Sequence, residues 1–536
     1  MTTVDPSPLI RPALLLSHIA PGGAQQPSSG MMCHSSRIRC TMTEIRMPSG
    51  EAERDTAAIR EIFGYIASIP RCSGNEDGIA RFLRERVVDA GCMVKEDDAG
   101  NLFLGLPGAG GGEDAPPLVL QAHMDMVCVA AQGSDHDFAR EGIDWYEEDG
   151  ILRARETTLG ADNGIGLAIG IRLLEEPGPV HPPIQLIATR EEETTMHGAA
   201  ALDPAKIAGT TVINIDDEEE GVITTSSAGM MAVAFTFPAH RILVRGAVSW
   251  QTVEVAGGRG GHSGMEAGSG RANALSLIGT LLTGLMAETG CAVTTISGGE
   301  RDNAIPGQAR ACIGLDPAVV KKAVRFIREE GRACRETYRD TDPDLRVRIF
   351  PATPQENVIS PEIAAGVVSL LSGLPAGVCT MDVVIPDLVA TSCNPATIRE
   401  EAGLLTIGLS ARSNDDATLA ALGETFRRQG KEAGAAVSIP GVAPAWQYRE
   451  VSPIRERVAE AYSDLFGSTM HLRGLHAGLE TAWIAQKIPE ADIISLGPDI
   501  RDAHTVRESA SLPSAGRVCL LLRETLRRCV EVREEE

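Results

Sequence analysis

The segment LVLQAHMDM, residues 118–126, is an apolar run that stops at His123 and Asp125, and the arrangement recurs along the chain. QLIATREEE ends in Glu191, Glu192 and Glu193, VINIDDEEE ends in Asp216 and its acidic neighbours, and IISLGPDIRDAH reaches His504 shortly after its apolar run. Between these runs lie stretches with helical spacing of apolar residues, such as GIGLAIGIRLLEE. Strands alternating with helices predict an α/β layered sheet. Binding sites in open α/β sheets lie at the carboxyl ends of the strands. If these four strands are parallel neighbours, their polar ends converge on one rim.

The stretch TTLGADNGIG, residues 157–166, adds Asp162 to that rim, at a strand-to-helix turn. Such a carboxylate either caps the helix or faces a cation. Each piece has a plain reading by itself, because His-x-Asp is common and a glutamate run is commonly a solvated face. Together they place many carboxylates and two imidazoles on one rim, which repels itself unless it holds metal. Mixed His and carboxylate donors suit zinc, and a bridging carboxylate lets two ions sit about 3.5–4 Å apart. Asp162, with small neighbours, suits the bridge. Cobalt or manganese would accept the same donors.

The chain divides by pattern. Residues 1–54 are rich in Pro, Ser and Gly and read as a disordered extension; ALLLSHIA there is too short and too late for a signal peptide. Residues 55–227 and 448–536 share the α/β style. Residues 228–447 differ, running strand WQTVEVAG, helix, strands AVTTIS and QARACIGL, helix, then strand LRVRIFP, helix, strands TMDVVIP and GLLTIGLSA, helix. The order β-α-β-β-α occurs twice, which predicts an inserted domain made of two α+β units. The Gly-rich GAGGGEDAPP lacks a following Gly-Lys-Ser/Thr and reads as a hairpin connection between NLFLGLPG and PPLVLQAHMD.

With 49 basic and 73 acidic side chains and a net charge of −24, the chain is a poor match for nucleic acid. No window approaches the roughly 18 apolar residues of a membrane span. The 12 cysteines show no CxxC pair, so Cys128, Cys312 and Cys519 read as reduced core residues and the compartment as cytoplasmic.

LQAHMDMV, TTLGADNGIG, EEETTMHGA, NIDDEEEG, GGHSG, NAIP, LHAGLE and GPDIRDAHTVRE together resemble the M20 metallopeptidases, and within them the aminoacyl-histidine dipeptidase branch. The resemblance runs from about residue 56 to the C-terminus. It implies a zinc-peptidase-like α/β/α catalytic domain with a duplicated, ferredoxin-like lid. It also implies two zinc ions, one held by His123, Asp162 and Asp216 and the other by Asp162, Glu193 and His504. Glu192 matches the general base and Asp125 the carboxylate that orients His123. Glu191 and Asp217 are left without a role. His262 of GGHSG matches the histidine that stabilises the oxyanion. Asn303 of NAIP and Arg412 of LSARS resemble positions that bind the substrate backbone and its terminal carboxylate, the latter a natural task for a guanidinium. The sequence HTVRE departs from the family pattern by placing Val506 and Arg507 between His504 and Glu508.

The implied activity is hydrolysis of dipeptides, Xaa-His or of broad specificity, by a water that a glutamate activates at two metals. The alternatives are an N-acyl amino-acid amidohydrolase with the same metals and an inactive metal-binding scaffold. A small peptide is the implied partner. The chain is either a monomer or a homodimer, and the doubled lid favours a His262 that serves its own chain.

Overall fold

The computed structural model describes residues 50–530. The first helix, Glu51–Ala67, buries Ile59, Ile62, Phe63 and Ile66 on one stripe and carries Glu51 and Glu53 in its first turn, where acids suit the helix dipole. It takes in the last four residues, 51–54, of the expected N-terminal extension, and residues 1–49 lie outside the described residues.

Eight strands form the first sheet, in the order Met93–Glu96, Leu102–Leu106, Ile184–Thr189, Leu118–His123, Thr211–Asn214, Asp492–Ser495, Val222–Ser227, His471–Leu475. The four central strands, from Ile184–Thr189 to Asp492–Ser495, are parallel. Leu118–His123 and Ile184–Thr189 are buried along their whole length, as expected of parallel strands covered on both faces. Leu118, Leu120 and Ala122 pack into the core formed with helices Glu51–Ala67, Ala161–Glu175 and Leu512–Val530. Val119 enters a separate core with Phe103, Val212, Trp446 and Ile484 on the opposite face. Helices therefore cover both faces, and the α/β/α expectation holds.

The Gly-rich connection is not a hairpin. Leu102–Leu106 pairs antiparallel with Ile184–Thr189, which separates it from Leu118–His123. Sequence adjacency gave the wrong neighbour because the parallel strand 184–189 inserts between the two.

The second sheet is antiparallel and has its own core, covered by helices Ala274–Thr289, Val320–Thr337, Pro361–Gly373 and Asp416–Ala433. Its order is Arg346–Pro351, Ser249–Ala256, Ala309–Leu315, Ala292–Gly298, Val389–Glu401, Leu404–Ser413, Gly229–Pro238, Ala436–Ala443, with Gly377–Met381 beside Val389–Glu401. One half is β-α-β-β-α-β over residues 249–351. The other uses strands 229–238, 389–401, 404–413 and 436–443 in the mirrored lateral order. The halves meet at the pair Gly298–Ile398. They are nested rather than consecutive, since the first half interrupts the second after residue 238. Two strand expectations change accordingly. Arg346–Pro351 closes the first half by pairing with Ser249–Ala256, and Val389–Glu401 replaces TMDVVIP as the main strand of the second. This strand contains Pro395, and a register slip between Pro395 and Thr397 accommodates it.

Cys128 is not a free thiol. It forms a disulfide with Cys72, 56 residues earlier, because the turn after the first helix runs beside the segment that leaves the His123 strand, as the Cys72–Met126 bridge shows. No spacing rule reveals such a pair. Cys312 and Cys519 remain free. No helix among the described residues is long and apolar enough to cross a membrane.

Candidate metal and substrate site

His123 ends its strand, Asp162 sits in the turn that opens helix Ala161–Glu175, and Asp216 follows strand Thr211–Asn214. Because the strands are parallel, these ends share one edge. His123 Nε2 lies 3.0 Å from Asp162 Oδ1 and 3.3 Å from Asp216 Oδ1. On the other side of the same carboxylate, His504 Nε2 lies 3.1 Å from Asp162 Oδ2 and 3.0 Å from Glu193 Oε2. His123, Asp162 and Asp216 bring their donor atoms within 4.8 Å of one another, as do Asp162, Glu193 and His504. Asp162 belongs to both groups. A third group joins His123 to Glu192 and Glu193.

Asp162 has extended rather than helical backbone, with φ −81° and ψ 109°; its side chain points to the histidines and does not cap the helix. Its peptide bond to Asn163 is cis. Asn163 donates to the carbonyl of Ile215 at 2.7 Å and to Asp216, tying the two carboxylate-bearing segments together. His504 takes a left-handed φ of 63°, uncommon for a residue with a side chain. It lies in the loop between the short paired strands Ile500–Arg501 and Ser509–Ser511.

Asp125 is fully buried and links the histidine to the glutamates. Its oxygens accept from Ser73 Oγ at 2.7 Å and from the backbone N–H of Glu192 and Glu193 at 3.0 and 3.2 Å. His123 Nδ1 faces Asp125 Oδ1 at 3.4 Å and the Asp125 carbonyl at 3.1 Å. Burial opposes ionisation of Asp125, but its hydrogen bonds, first that from His123, hold it at about 2. Glu191 is half-buried, outside these groups. Asp217 turns away to Arg473 at 2.5 Å and to Thr224.

The charge balance of the rim is abnormal. Burial opposes a charged His123, yet Asp216 and the hydrogen bonds to its carboxylates lift it well above an ordinary imidazole. Hydrogen bonds to Asp162 and Glu193 raise His504 to about 11. Burial lifts Asp216 to about 6 and Glu192 well above the usual carboxylate range. The upward shifts on both imidazoles and carboxylates mark an excess of negative charge that cations would relieve.

The expected substrate residues form a second group. The turn GGHSG pairs with NAIP through a His262–Ala304 bridge and a Ser263 N–H to Asn303 carbonyl bond of 2.8 Å. The Asn303 side chain is exposed, so here its backbone makes the contact. His262 Nδ1 accepts from the backbone N–H of Met265 at 3.1 Å, which leaves Nε2 to carry the proton. Burial, then Arg412, keeps this imidazole below its usual range. Arg412 is 5% exposed, its Nε has no partner, and it has no carboxylate partner among the described residues. Burial lowers its pKa to about 10.

Sequence reasoning gave no role to His476, Glu480, Arg71 or Ser73. His476 lies 2.7 Å from Ser392 Oγ through Nε2, and burial, with Arg412, brings it to about 4. Four residues on, the buried Glu480 accepts from Thr189 Oγ1 at 2.6 Å and from Gln121. Residues 476–480 thus run from the Arg412 group to the floor beneath the metal-ligand group. The motif LHAGLE was the available signal. Arg71 gave none: it is buried and donates to the carbonyls of Met124, Asp125 and Gly160.

The model of peptidase family M20/M25/M40 matches residues 119–528. The chain belongs to this family. It is 31% identical over 469 residues to the cytosol non-specific dipeptidase of Escherichia coli, covering 87% of this chain and 96% of that one. The crystal structure of aminoacylhistidine dipeptidase from Vibrio alginolyticus superposes with a TM-score of 0.81 at 28% identity, over 88% of this chain and 96% of that one. A tripeptidase from Staphylococcus aureus, at 15% identity and a TM-score of 0.51, shares the fold over 89% of this chain and 98% of its own.

Proposed function

We propose that this M20 chain is a dipeptidase that hydrolyses unblocked dipeptides at a pair of divalent metal ions, with zinc the natural choice. The observation that carries the reading is the shared carboxylate: Asp162 belongs to two donor groups at once, facing His123 on one side and His504 on the other. The donor set fits such ions. It is made of imidazole and carboxylate, its donor atoms lie within 4.8 Å of one another in each group, and Glu193 Oε1 is buried without a partner among the described residues. His123, Asp162 and Asp216 would hold one ion, and Asp162, Glu193 and His504 the other.

Two divalent ions at this rim supply Lewis acidity to the scissile carbonyl and to the attacking water. The chain's own residues do the rest. Glu192, raised by burial, takes a proton from water and passes it to the leaving amine. Asp125 holds His123 in orientation and, through two backbone bonds, holds the Glu192–Glu193 turn against it. His262 offers Nε2–H to the oxygen of the tetrahedral carbon. Arg412, buried without a counterion among the described residues, grips the free carboxylate at the substrate's C-terminus. That grip distinguishes a short peptide from a longer one. The dipeptidase relatives and the lack of a membrane-crossing helix among the described residues support a cytoplasmic enzyme of small peptides.

The test is turnover by metal-loaded protein on matched panels of dipeptides, Xaa-His dipeptides, tripeptides and N-acetyl amino acids. The reading expects dipeptides, Xaa-His included, to be cleaved at least tenfold faster than tripeptides and N-acetyl amino acids, a difference of about 1.4 kcal/mol in the barrier. Preference for N-acetyl amino acids would replace it with an amidohydrolase.

A further inference from the structure

Cys379 and Cys393 lie on neighbouring strands of the second sheet, Gly377–Met381 and Val389–Glu401, where the ladder pairs Cys393 with Gly377 and leaves Cys379 without a partner of its own. Their sulfurs are 3.7 Å apart. The strand register slips on both sides of Thr380, and Cys379 falls at this irregularity, which brings its side chain onto Cys393. Cys379 is exposed, whereas Cys393 is 1% exposed within the core. One thiol is open to solvent and its neighbour is not.

The other free cysteines among the described residues have no such partner. Burial raises Cys92, Cys291, Cys312, Cys334, Cys519 and Cys529, which makes them poor nucleophiles. The hydrogen bond with Cys393 instead lowers Cys379 to about 7, while the same bond and burial raise Cys393. This is the arrangement of an attacking thiol backed by a resolving one.

The pair also touches the substrate group. Ser392, the residue before Cys393, sits opposite Arg412 in the strand ladder and hydrogen-bonds His476 at 2.7 Å. Closing a bond at Cys393 draws on the strand segment that holds both.

We propose that Cys379 and Cys393 form a thiol–disulfide exchange site for a small disulfide, and that closing their bond alters substrate binding through Ser392. The second half rests on the dipeptidase reading. The Cys379 thiolate attacks one sulfur of the small disulfide. The disulfide's S–S bond breaks, one half leaves as a thiolate, and the other half is joined to Cys379. Cys393 then attacks the Cys379 sulfur and passes its proton to the departing second half, which leaves as a thiol. Two protein thiols are oxidised to one disulfide, and the small disulfide is reduced to two thiols. The sulfurs must close from 3.7 Å to about 2 Å, which small side-chain rotations and a slight strand shift accommodate.

The experiment incubates the full chain with oxidised glutathione at neutral pH, blocks the remaining thiols and maps the peptides by mass. The expected product is a Cys379–Cys393 cross-link. C393S is expected to stop at a glutathione mixed disulfide on Cys379, and C379S to leave Cys393 unmodified. Wild-type protein that stops at the mixed disulfide, or that leaves Cys379 unreacted, overturns the exchange site. For the coupling, KM for a cleaved dipeptide is expected to change about fivefold on oxidation, the lower range of ordinary coupling between sites, and not to change in C393S. An unchanged KM with the cross-link formed overturns the coupling. Protein that cleaves no dipeptide fails the earlier reading and the coupling with it, while the peptide map still decides the exchange site.

Discussion

The carboxylate of Glu508 holds the turn that carries Asp162. It accepts from the backbone N–H of Asp162 at 3.3 Å and from those of Leu159, Gly160 and Ala161 at 2.8, 3.0 and 2.7 Å. One side chain near the C-terminus thus satisfies four donors 346 to 349 residues earlier. E508Q keeps the shape but turns an NH₂ group towards some of those donors. A buried bond to a charged group is worth about 1.5–3 kcal/mol, so E508Q should unfold at lower denaturant by about that amount. It should also bind metal at least about tenfold more weakly, because Asp162 is shared by both donor groups. Chemical unfolding and metal titration check the two effects. Unchanged metal affinity would mean that Asp162 is held by other contacts.

Glu192 and Glu193 are adjacent, and their backbone N–H groups bind the same carboxylate, yet they should respond differently to loss of charge. E192Q should keep its metal and lose about 10²–10⁴-fold in turnover, the usual worth of a general base. E193Q removes an oxygen that faces His504 at 3.0 Å and should lose metal and rate together. Metal content measured beside rate separates them. Full activity in metal-replete E192Q would falsify its role as base.

In the metal-free protein His504 titrates near 11 because of Asp162 and Glu193, and His123 is also raised. Both imidazoles are then charged at pH 7, and each must lose its proton to ligate. Metal binding at neutral pH should release protons, at least about one for each imidazole, and affinity should rise with pH. Calorimetry in buffers of different ionisation enthalpy measures the release; none at pH 7 would contradict it. The sign for folding follows from the same shift. A histidine whose folded pKa exceeds its unfolded value of 6.5 contributes its full stability below that pH and loses it as pH rises towards 11. Asp162 is depressed and behaves oppositely, contributing above its ordinary carboxylate pKa and losing its part as acid passes the folded one.

The strand-end chemistry was legible because a parallel strand buried on both faces leaves a continuous apolar run, so His123, Glu193 and Asp216 stood out at its limits. The pairings were less legible. Gln121 and Asn214 are polar residues inside such runs, and their bonds form a ladder: Asn214 donates to Gln121 at 2.6 Å, and Gln121 donates to Thr189 at 3.2 Å and to Glu480, 359 residues later. Nothing local names Glu480 as the partner. The second sheet was misread for a related reason. Strand 229–238 finds its neighbours after an interruption of more than 150 residues, and Val389–Glu401 contains a proline. Cys72 and Cys128 show the same limit in covalent form.

Asp55 offers a stability prediction away from the site. It is 1% exposed and pairs with Arg172 at 3.0 Å and with Arg523 at 2.8 Å, holding helix Glu51–Ala67 to helices Ala161–Glu175 and Leu512–Val530. D55A strands two largely buried guanidinium groups. Breaking such a buried pair from one side costs about 3–5 kcal/mol, so urea unfolding should show a loss of that order, with metal content unchanged in the protein that remains folded. A loss below about 1 kcal/mol would mean that water or Glu176 compensates the arginines.

The last prediction concerns which chain His262 serves. The turn His262–Gly264 packs on the His476 backbone: a Cβ added at Gly264 would meet the His476 carbonyl at 2.4 Å and Arg412 Nε at 3.1 Å. His476 belongs to the segment that reaches Glu480 under the metal-ligand rim of the same chain. His262 arises from the half of the second sheet that spans 249–351 and Arg412 from the other half, so one polypeptide brings both to its own His476. Catalysis in cis is the expected outcome. Mixing E192Q chains with H262A chains, under conditions that exchange subunits, tests it. If His262 acted across a dimer, half of randomly formed dimers would be mixed and each would contain one complete site, restoring about a quarter of all sites. In cis, each chain keeps its own defect, so the mixture should be no more active than its components. Recovery near a quarter would assign His262 to the partner's site.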